Sequence, residues 1–183
     1  MNIGVIPSWA KSTYEWSLIS LEYGDRVAER SRVPLINHIV EGVNVLEAIG
    51  SNRAAICAFM VHPLFQADDD FERNGHILAD PDLALGPEVS LLVLEYRRAA
   101  NAYLSKPHTD DWSDAIVRYQ VGALYDSLRN MLVADKWQNQ KDFRAHHLGT
   151  HARSAELERY FLTWQRILDP TDTVWPMLNR LFQ

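Results

Sequence analysis

The chain has 183 residues, of which 47% are hydrophobic and 23% charged, a composition typical of one globular domain with a real apolar core. The formal net charge of −6 argues against sequence-independent binding to extended DNA or RNA, which needs a basic face, but leaves room for a local basic pocket. The single cysteine, Cys57, excludes a disulfide framework. No run reaches transmembrane length, so we expect a cytoplasmic protein without a membrane partner.

Helix signals dominate the first third of the chain. A first helix is predicted at the capping-box pattern of residues 12–15, STYE, with Ser12 as the cap. The second is predicted to begin at Pro34, whose missing N–H is harmless in a first turn. The third, residues 52–62, is apolar nearly all round and ends before Pro63, since the residue before a proline leaves the α region.

The remaining predicted elements are also helical, apart from an irregular connection over residues 66–87 that holds one short helix. Helices are predicted over residues 87–104 and from about 111 to 143. Two more follow, one capped by Ser154 and one capped by Asp172. No segment alternates with period two for long enough to demand a sheet. We therefore expect one compact all-α domain of about seven or eight helices over residues 1–183.

Three polar residues interrupt the predicted apolar helices: His38, His62 and Asp135. A buried carboxylate is unfavourable unless a cation, a metal or several donors face it. Each residue alone is explained by a structural salt bridge or a hydrogen-bonded core histidine. Together, imidazoles and a carboxylate are the ligands of a hydrolytic divalent-metal site. Spacing alone leaves both interpretations open.

The same residues lie in segments that resemble a known family. Residues 32–38 (RVPLINH), 59–62 (FMVH) and 132–139 (LVADKWQN) are similar, in this order, to motifs of the HD-domain phosphohydrolases of the RelA/SpoT type. The small stand-alone alarmone hydrolases are the most similar form. The resemblance covers roughly residues 20–168, and it implies an HD-like helical domain that hydrolyses a pyrophosphorylated purine nucleotide.

The resemblance implies roles for individual residues. The metal ligands, for Mn²⁺ or another divalent ion, would be His38, His62 and Asp135. The substrate-binding residues would include Arg30, Arg32, Lys136 and Asn139. Arginine suits phosphate because its planar fork grips two oxygens at once. A solvated loop remains the alternative for the two arginines.

The chain departs from the family pattern at two places. Pro63 follows His62 where the family has the aspartate that completes the metal shell. Gln66 and Ala67 occupy the positions of the Glu-Asp pair that organises the attacking water. Gln66 is therefore a candidate catalytic residue, and Asp68 or Asp69 on the following loop could replace a missing acid. The alternative is that residues 68–70 are merely solvated.

A second concentration of histidine and arginine occurs in residues 144–154, RAHHLGTHARS. Arg144, His147 and His151 are candidates for contacting substrate phosphate. A second metal site and an exposed connection between helices are the alternatives.

Three functions remain open on the sequence. The first is an HD-type nucleotide phosphohydrolase, and the second is a catalytically impaired module that senses or sequesters a small-molecule nucleotide. The third is a structural or interaction protein whose tryptophan-rich surface mediates assembly. Self-association as a homo-oligomer is compatible with all three.

Overall fold

A computed structural model describes residues 4–29, 31–79, 85–104 and 113–182. Within these ranges the chain forms twelve helices and no strand, so the predicted all-α class is confirmed. The helices are α1 (Ser8–Lys11), α2 (Tyr14–Tyr23), α3 (Ile36–Ala48), α4 (Arg53–Val61), α5 (Pro63–Gln66), α6 (Asp68–Asn74), α7 (His76–Ala79), α8 (Pro87–Leu104), α9 (Asp114–Val121), α10 (Asp126–His146), α11 (Ser154–Leu168) and α12 (Val174–Leu181). The number exceeds the expected seven or eight mainly because α1, α5 and α7 have only four residues each.

Helices α4 and α10 form the centre of the fold. Every residue of α4 from Ala55 to Val61 is buried, as its apolar sequence predicts. Helix α4 packs against α2, α3 and α8, while α10 packs against α3, α4, α8 and α11. The polar side chains of α10 therefore enter a core that is otherwise apolar.

Helices α3 and α4 approach each other closely at Gly42. A Cβ atom at this position would overlap the ring of Phe59 on α4. The Phe59 ring in turn contacts His38, with centroids 5.5 Å apart, and His62, with centroids 4.8 Å apart. The absence of a side chain at Gly42 thus leaves room for the Phe59 ring, against which both histidine rings pack.

Three predicted helix starts shift by one or two residues. Thr13, not Ser12, caps α2, because its Oγ1 accepts from the Trp16 amide at 3.2 Å. Pro34 does not open α3 but forms an isolated antiparallel bridge with Val27, and the helix begins at Ile36. Asn52 caps α4 by accepting from the amide of Ala55 at 2.8 Å.

The long helix predicted from about residue 111 to 143 is two helices. Gly122 has a φ of 77°, which a glycine adopts easily and which ends α9 before α10 starts at Asp126. The Arg98 guanidinium donates to the carbonyl of Val121 at 2.8 Å and so satisfies this helix end. Residues 111 and 112 lie outside the described ranges.

The cap predicted for the last helix is also corrected. Asp169, rather than Asp172, accepts from the amides of Thr173, Val174 and Trp175 at 3.0, 2.8 and 2.9 Å. A carboxylate at this end is favoured because free amide groups give a helix N-terminus partial positive charge.

The connection predicted as irregular over residues 66–87, with one short helix, holds two helices, α6 and α7, besides the last residue of α5 and the first residue of α8. Its residues 80–84 lie outside the described ranges. The three aspartates at 68–70 form the first turn of α6, where the helix dipole favours them. Among the described helices, none is both long enough and apolar enough to cross a bilayer.

Candidate metal centre

His38, His62 and Asp135 converge in the core from two helices and one junction between helices. His38 lies on α3, His62 lies between α4 and α5, and Asp135 lies on α10. The two Nε2 atoms are 3.5 Å apart, and they lie 3.5 Å (His38) and 3.9 Å (His62) from Asp135 Oδ1. Among the described residues, these three form the one group of at least three side chains arranged to hold a metal ion.

The spacing of these three atoms suits a shared divalent ion. Atoms bound to one ion at roughly 2.0–2.2 Å lie about 3.0–3.6 Å from one another. The observed separations of 3.5, 3.5 and 3.9 Å are within or close to this range. Two imidazoles and one carboxylate, with further positions open, are a common ligand set for catalytic divalent ions.

The outer ring nitrogens of both histidines support this interpretation. His38 Nδ1 lies 2.6 Å from Gln138 Oε1, and His62 Nδ1 lies 2.6 Å from the carbonyl of Phe59. Amide and carbonyl oxygens only accept hydrogen bonds, so each Nδ1 carries a proton. A ring protonated on Nδ1 alone keeps a lone pair on Nε2, so the two Nε2 atoms and Asp135 Oδ1 would together offer three electron pairs to a cation between them.

The two oxygens of Asp135 have different partners. Oδ2 accepts from the Lys136 ammonium at 2.6 Å, and Oδ1 accepts from the Asn139 amide at 2.8 Å. Burial by itself raises the pKa of Asp135, but Lys136 and the two imidazoles outweigh it and hold this pKa well below its usual range. The carboxylate is therefore ionised and ready to act as a ligand through Oδ1.

Lys136 is held inside the protein rather than directed at a substrate. Its side chain is buried, and its Nζ lies 5.7 Å from the ring centroid of Tyr160 and 5.3 Å from that of Trp164. Burial lowers the pKa of Lys136, but Asp135 outweighs burial and raises it. Lys136 lines a cavity beside the triad formed by His38, His62 and Asp135, yet its charge is already neutralised by Asp135.

His62 stays neutral in the metal-free protein. Burial, reinforced by the neighbouring His38, lowers the pKa of His62 to about 3. Its ring also packs against Tyr96, with centroids 4.6 Å apart. Burial and the Asp135 carboxylate raise the pKa of Tyr96 well above its usual value, so the phenol also remains protonated.

The triad opens onto a cavity of about 510 Å³. One part of its wall is polar and includes Gln66, Gln138, Asn139 and Asp142 beside the triad. The rest is mainly apolar or aromatic: Ala28, Val33, Pro34, Leu35, Phe143, Leu157, Tyr160 and Phe161. Such a cavity offers polar contacts near the metal centre and an apolar surface for a ring.

Tyr23 adds a hydroxyl to the wall of this cavity. Burial raises its pKa to about 12, so the hydroxyl keeps its proton near neutral pH. Tyr23 therefore lines the cavity with its phenol protonated, and the sequence motifs gave no indication of this residue.

Gln66 is held at the cavity wall by helix α8. Its carbonyl accepts from Asn101 at 2.9 Å and from the Arg97 guanidinium, which also bonds the carbonyl of Phe65 at 3.2 Å. Gln66 lines the cavity together with Pro63. An amide cannot act as a general base at neutral pH, so Gln66 can orient a ligand but not accept its proton.

The structure directs the predicted replacement acids elsewhere. Asp68 forms an ion pair with Arg97, and its side chain is 92% exposed. Asp69 is exposed, and Asp70 pairs with Arg73 at 2.5 Å. Residues 68–70 are fixed at the start of α6 rather than on a mobile loop, and they do not belong to the described lining of the cavity.

The predicted phosphate-binding residues lie in different parts of the structure. His147 lines the cavity, whereas Arg32 and Arg144 are exposed and do not belong to its described lining. Arg30 lies outside the described residues. His151 lies in a second cavity, of about 370 Å³, that is lined by His146, His147, Thr150, His151 and Ala152.

The sequence motifs did not identify three residues near the metal centre: Gln138, Asp142 and the buried Tyr96. Gln138 is almost fully buried on α10, one turn after Asp135. A signal was present, because Asp135, Lys136, Gln138 and Gln140 are all polar within one buried helical stretch. Polar residues at buried positions need partners, so each of them was a candidate for a hydrogen-bonded site.

Comparisons of this chain with protein-family models, curated proteins and solved structures find no match.

Proposed function

We propose that this protein is an HD-type, metal-dependent phosphohydrolase acting on a pyrophosphorylated purine nucleotide such as an alarmone. One observation carries the proposal: three ligating atoms, from His38, His62 and Asp135, lie within 4.8 Å of one another at the wall of a cavity. A divalent ion such as Mn²⁺ supplies, when bound, polarisation of a phosphoryl group and a lowered pKa for a bound water.

The remaining side chains of the cavity are suited to holding such a substrate. Tyr23, Gln66 and Asn139 present neutral polar groups, and Phe143 and Phe161 provide an aromatic surface against which a base can pack. A cavity of about 510 Å³ falls within the roughly 300–1,000 Å³ of typical small-molecule sites.

In this proposal the metal ion supplies most of the positive charge that faces the phosphate groups of the substrate. In the described part of the lining, Lys136 is the one lysine or arginine, and its ammonium is paired with Asp135. Apart from His38 and His62, His147 is the one histidine in the described lining. Binding of a phosphorylated ligand should therefore depend strongly on the divalent ion.

A catalytically impaired nucleotide-binding module is the second candidate, and a specific observation favours it. Pro63 and Gln66 stand where the resembled family carries acids. Of the three aspartates that follow in the chain, Asp68 and Asp70 are paired with Arg97 and Arg73, and Asp69 is exposed. The same cavity would then bind a nucleotide without hydrolysing it.

Hydrolysis and binding are tested together on the purified protein. Guanosine and adenosine nucleotides, with and without a 3′-pyrophosphate, are incubated with Mn²⁺, and released phosphate and pyrophosphate are measured. Melting curves of the same mixtures report binding, since a ligand at 100 times its dissociation constant stabilises the fold by about 2.7 kcal/mol. Asp135→Asn, which removes the anionic ligand, is the control.

The phosphohydrolase proposal predicts Mn²⁺-dependent release that Asp135→Asn abolishes. A Mn²⁺-dependent rise in melting temperature without release supports the binding module instead. If no nucleotide produces either effect, both candidates fail and the interaction-protein hypothesis leads.

A further inference from the structure

Gln138 makes three hydrogen bonds although only 1% of it is exposed to solvent. Its Oε1 lies 2.6 Å from His38 Nδ1. Its Nε2 donates to Glu41 Oε2 at 3.1 Å and to Asp142 Oδ2 at 2.7 Å. The amide therefore lies between one ligand of the candidate metal centre and two carboxylates.

The chemistry of these partners fixes which way the amide points. Ionised carboxylates only accept hydrogen bonds, so the NH₂ end of Gln138 must face Glu41 and Asp142. The oxygen end must then face His38. Because an amide oxygen only accepts, the proton of the neutral His38 ring lies on Nδ1, and Nε2 keeps its lone pair.

A lysine holds the two carboxylates together. Lys141 Nζ lies 3.0 Å from Glu41 Oε2 and 2.7 Å from Asp142 Oδ1. Without a cation, two carboxylates sharing one amide would repel each other. The Lys141 ammonium makes their common approach to Gln138 favourable.

His62 needs no such arrangement. Its Nδ1 donates to the main-chain carbonyl of Phe59 at 2.6 Å, and that carbonyl cannot reverse. An amide side chain can rotate by half a turn and present its NH₂ end instead, which would favour a proton on Nε2 of His38. Of the two histidines of the triad, His38 is thus the one whose tautomer depends on a neighbouring side chain.

We propose that Gln138 is a positioning residue which, held by Glu41 and Asp142, directs the Nε2 lone pair of His38 toward His62 and Asp135. The consequence for metal affinity rests on the function proposed above, whereas the tautomer of His38 does not. Side chains that orient a metal-ligating histidine typically change metal affinity about 10- to 100-fold when removed.

The first measurement is made without metal. Long-range ¹H–¹⁵N spectra of the ¹⁵N-labelled protein identify the tautomer of each histidine, and loss of a signal in His38→Gln assigns His38. We expect the Nδ1–H tautomer in the wild type and a mixture in Gln138→Met. The double variant Glu41→Gln/Asp142→Asn keeps Gln138 but removes the constraint on its orientation, so it should also show a mixture.

The second measurement is the Mn²⁺ dissociation constant from calorimetry. We expect it to rise about 10- to 100-fold in Gln138→Met and in the double variant. Gln140→Met is the matched control, because Gln140 is a buried glutamine on the same helix that accepts from Trp175 Nε1 at 2.8 Å. It should lower the melting temperature while leaving the His38 tautomer and the dissociation constant unchanged.

The proposal is overturned if wild-type His38 carries its proton on Nε2, or if Gln138→Met resembles Gln140→Met in both measurements. Should Gln138→Met fail to fold, the double variant decides by the same two readouts. A wild-type protein that binds no Mn²⁺ would refute the metal function, and the metal-free spectra would still decide whether Gln138 sets the tautomer.

Discussion

Replacing Lys136 with methionine should destabilise the metal-free protein strongly. Methionine keeps most of the apolar stem but removes the ammonium that lies 2.6 Å from Asp135 Oδ2. Both side chains are about 95% buried, so the Asp135 carboxylate would lose its principal counter-charge in a largely desolvated position. Breaking a buried pair by removing one partner typically lowers the free energy of unfolding by about 3–5 kcal/mol.

The assay is thermal and urea unfolding of the metal-free protein. In a chain of this size, 1 kcal/mol corresponds to roughly 2–4 °C, so Lys136→Met should lower the melting temperature by about 6–20 °C. Lys141→Met is the matched control on the same helix. The Lys141 side chain is 36% exposed, and such ion pairs contribute about 0–1 kcal/mol.

Two further variants separate the charge from the packing. Asp135→Asn combined with Lys136→Met removes both charges, so it should be more stable than Lys136→Met alone. Saturating Mn²⁺ should also reduce the loss in Lys136→Met, because the ion again compensates the carboxylate. A loss in Lys136→Met no larger than that in Lys141→Met would refute the description of Asp135 as a buried, ionised ligand.

Four other outcomes are expected. Gly42→Ala should lower the free energy of unfolding by about 1–3 kcal/mol and weaken Mn²⁺ binding, because its Cβ would overlap the Phe59 ring. In the control Gly86→Ala the added atom meets open space, so calorimetry should show unchanged unfolding and unchanged Mn²⁺ binding. Burial lowers the pKa of His62 from 6.5 to about 3, so the unfolded chain binds a proton that the folded metal-free protein does not. Urea unfolding should therefore show stability falling as the pH is lowered from 6.5 toward about 3, and His62→Gln should flatten this dependence. Asp68→Asn should leave the Mn²⁺ stoichiometry unchanged, since Asp68 pairs with Arg97. Asn139→Ala should reduce nucleotide-induced stabilisation by about 0.5–1.5 kcal/mol in melting curves, through the loss of one hydrogen bond.

The helical class and the three triad residues were predictable because both depend on local pattern. Apolar residues at helical spacing identified α3, α4 and α10, and a histidine or carboxylate inside such a stretch stood out as a polar exception. The convergence of His38, His62 and Asp135 was expected from their motifs, and in the folded protein their ligating atoms lie within 4.8 Å of one another.

The partners of the triad were not predictable because they depend on packing between helices. The spacing of Gln138 along the chain does not show that it faces both His38 and Glu41, which lie about 100 residues away. The ion pair of Asp68 likewise depends on Arg97, a residue of α8 that no pattern in residues 66–70 could indicate. The break at Gly122 was missed because the apolar pattern on both sides of it continued without interruption.

Calorimetric titration of the metal-free protein with Mn²⁺ tests the central claim, that His38, His62 and Asp135 form a metal centre. The wild type should bind one ion per chain, and His62→Gln should abolish binding, because a glutamine cannot place an imidazole nitrogen 3.9 Å from Asp135 Oδ1. His151→Gln, which changes a histidine of the second cavity, should bind one ion with wild-type affinity. A wild-type protein that binds no ion, or a His62→Gln variant that binds as the wild type does, would contradict the account.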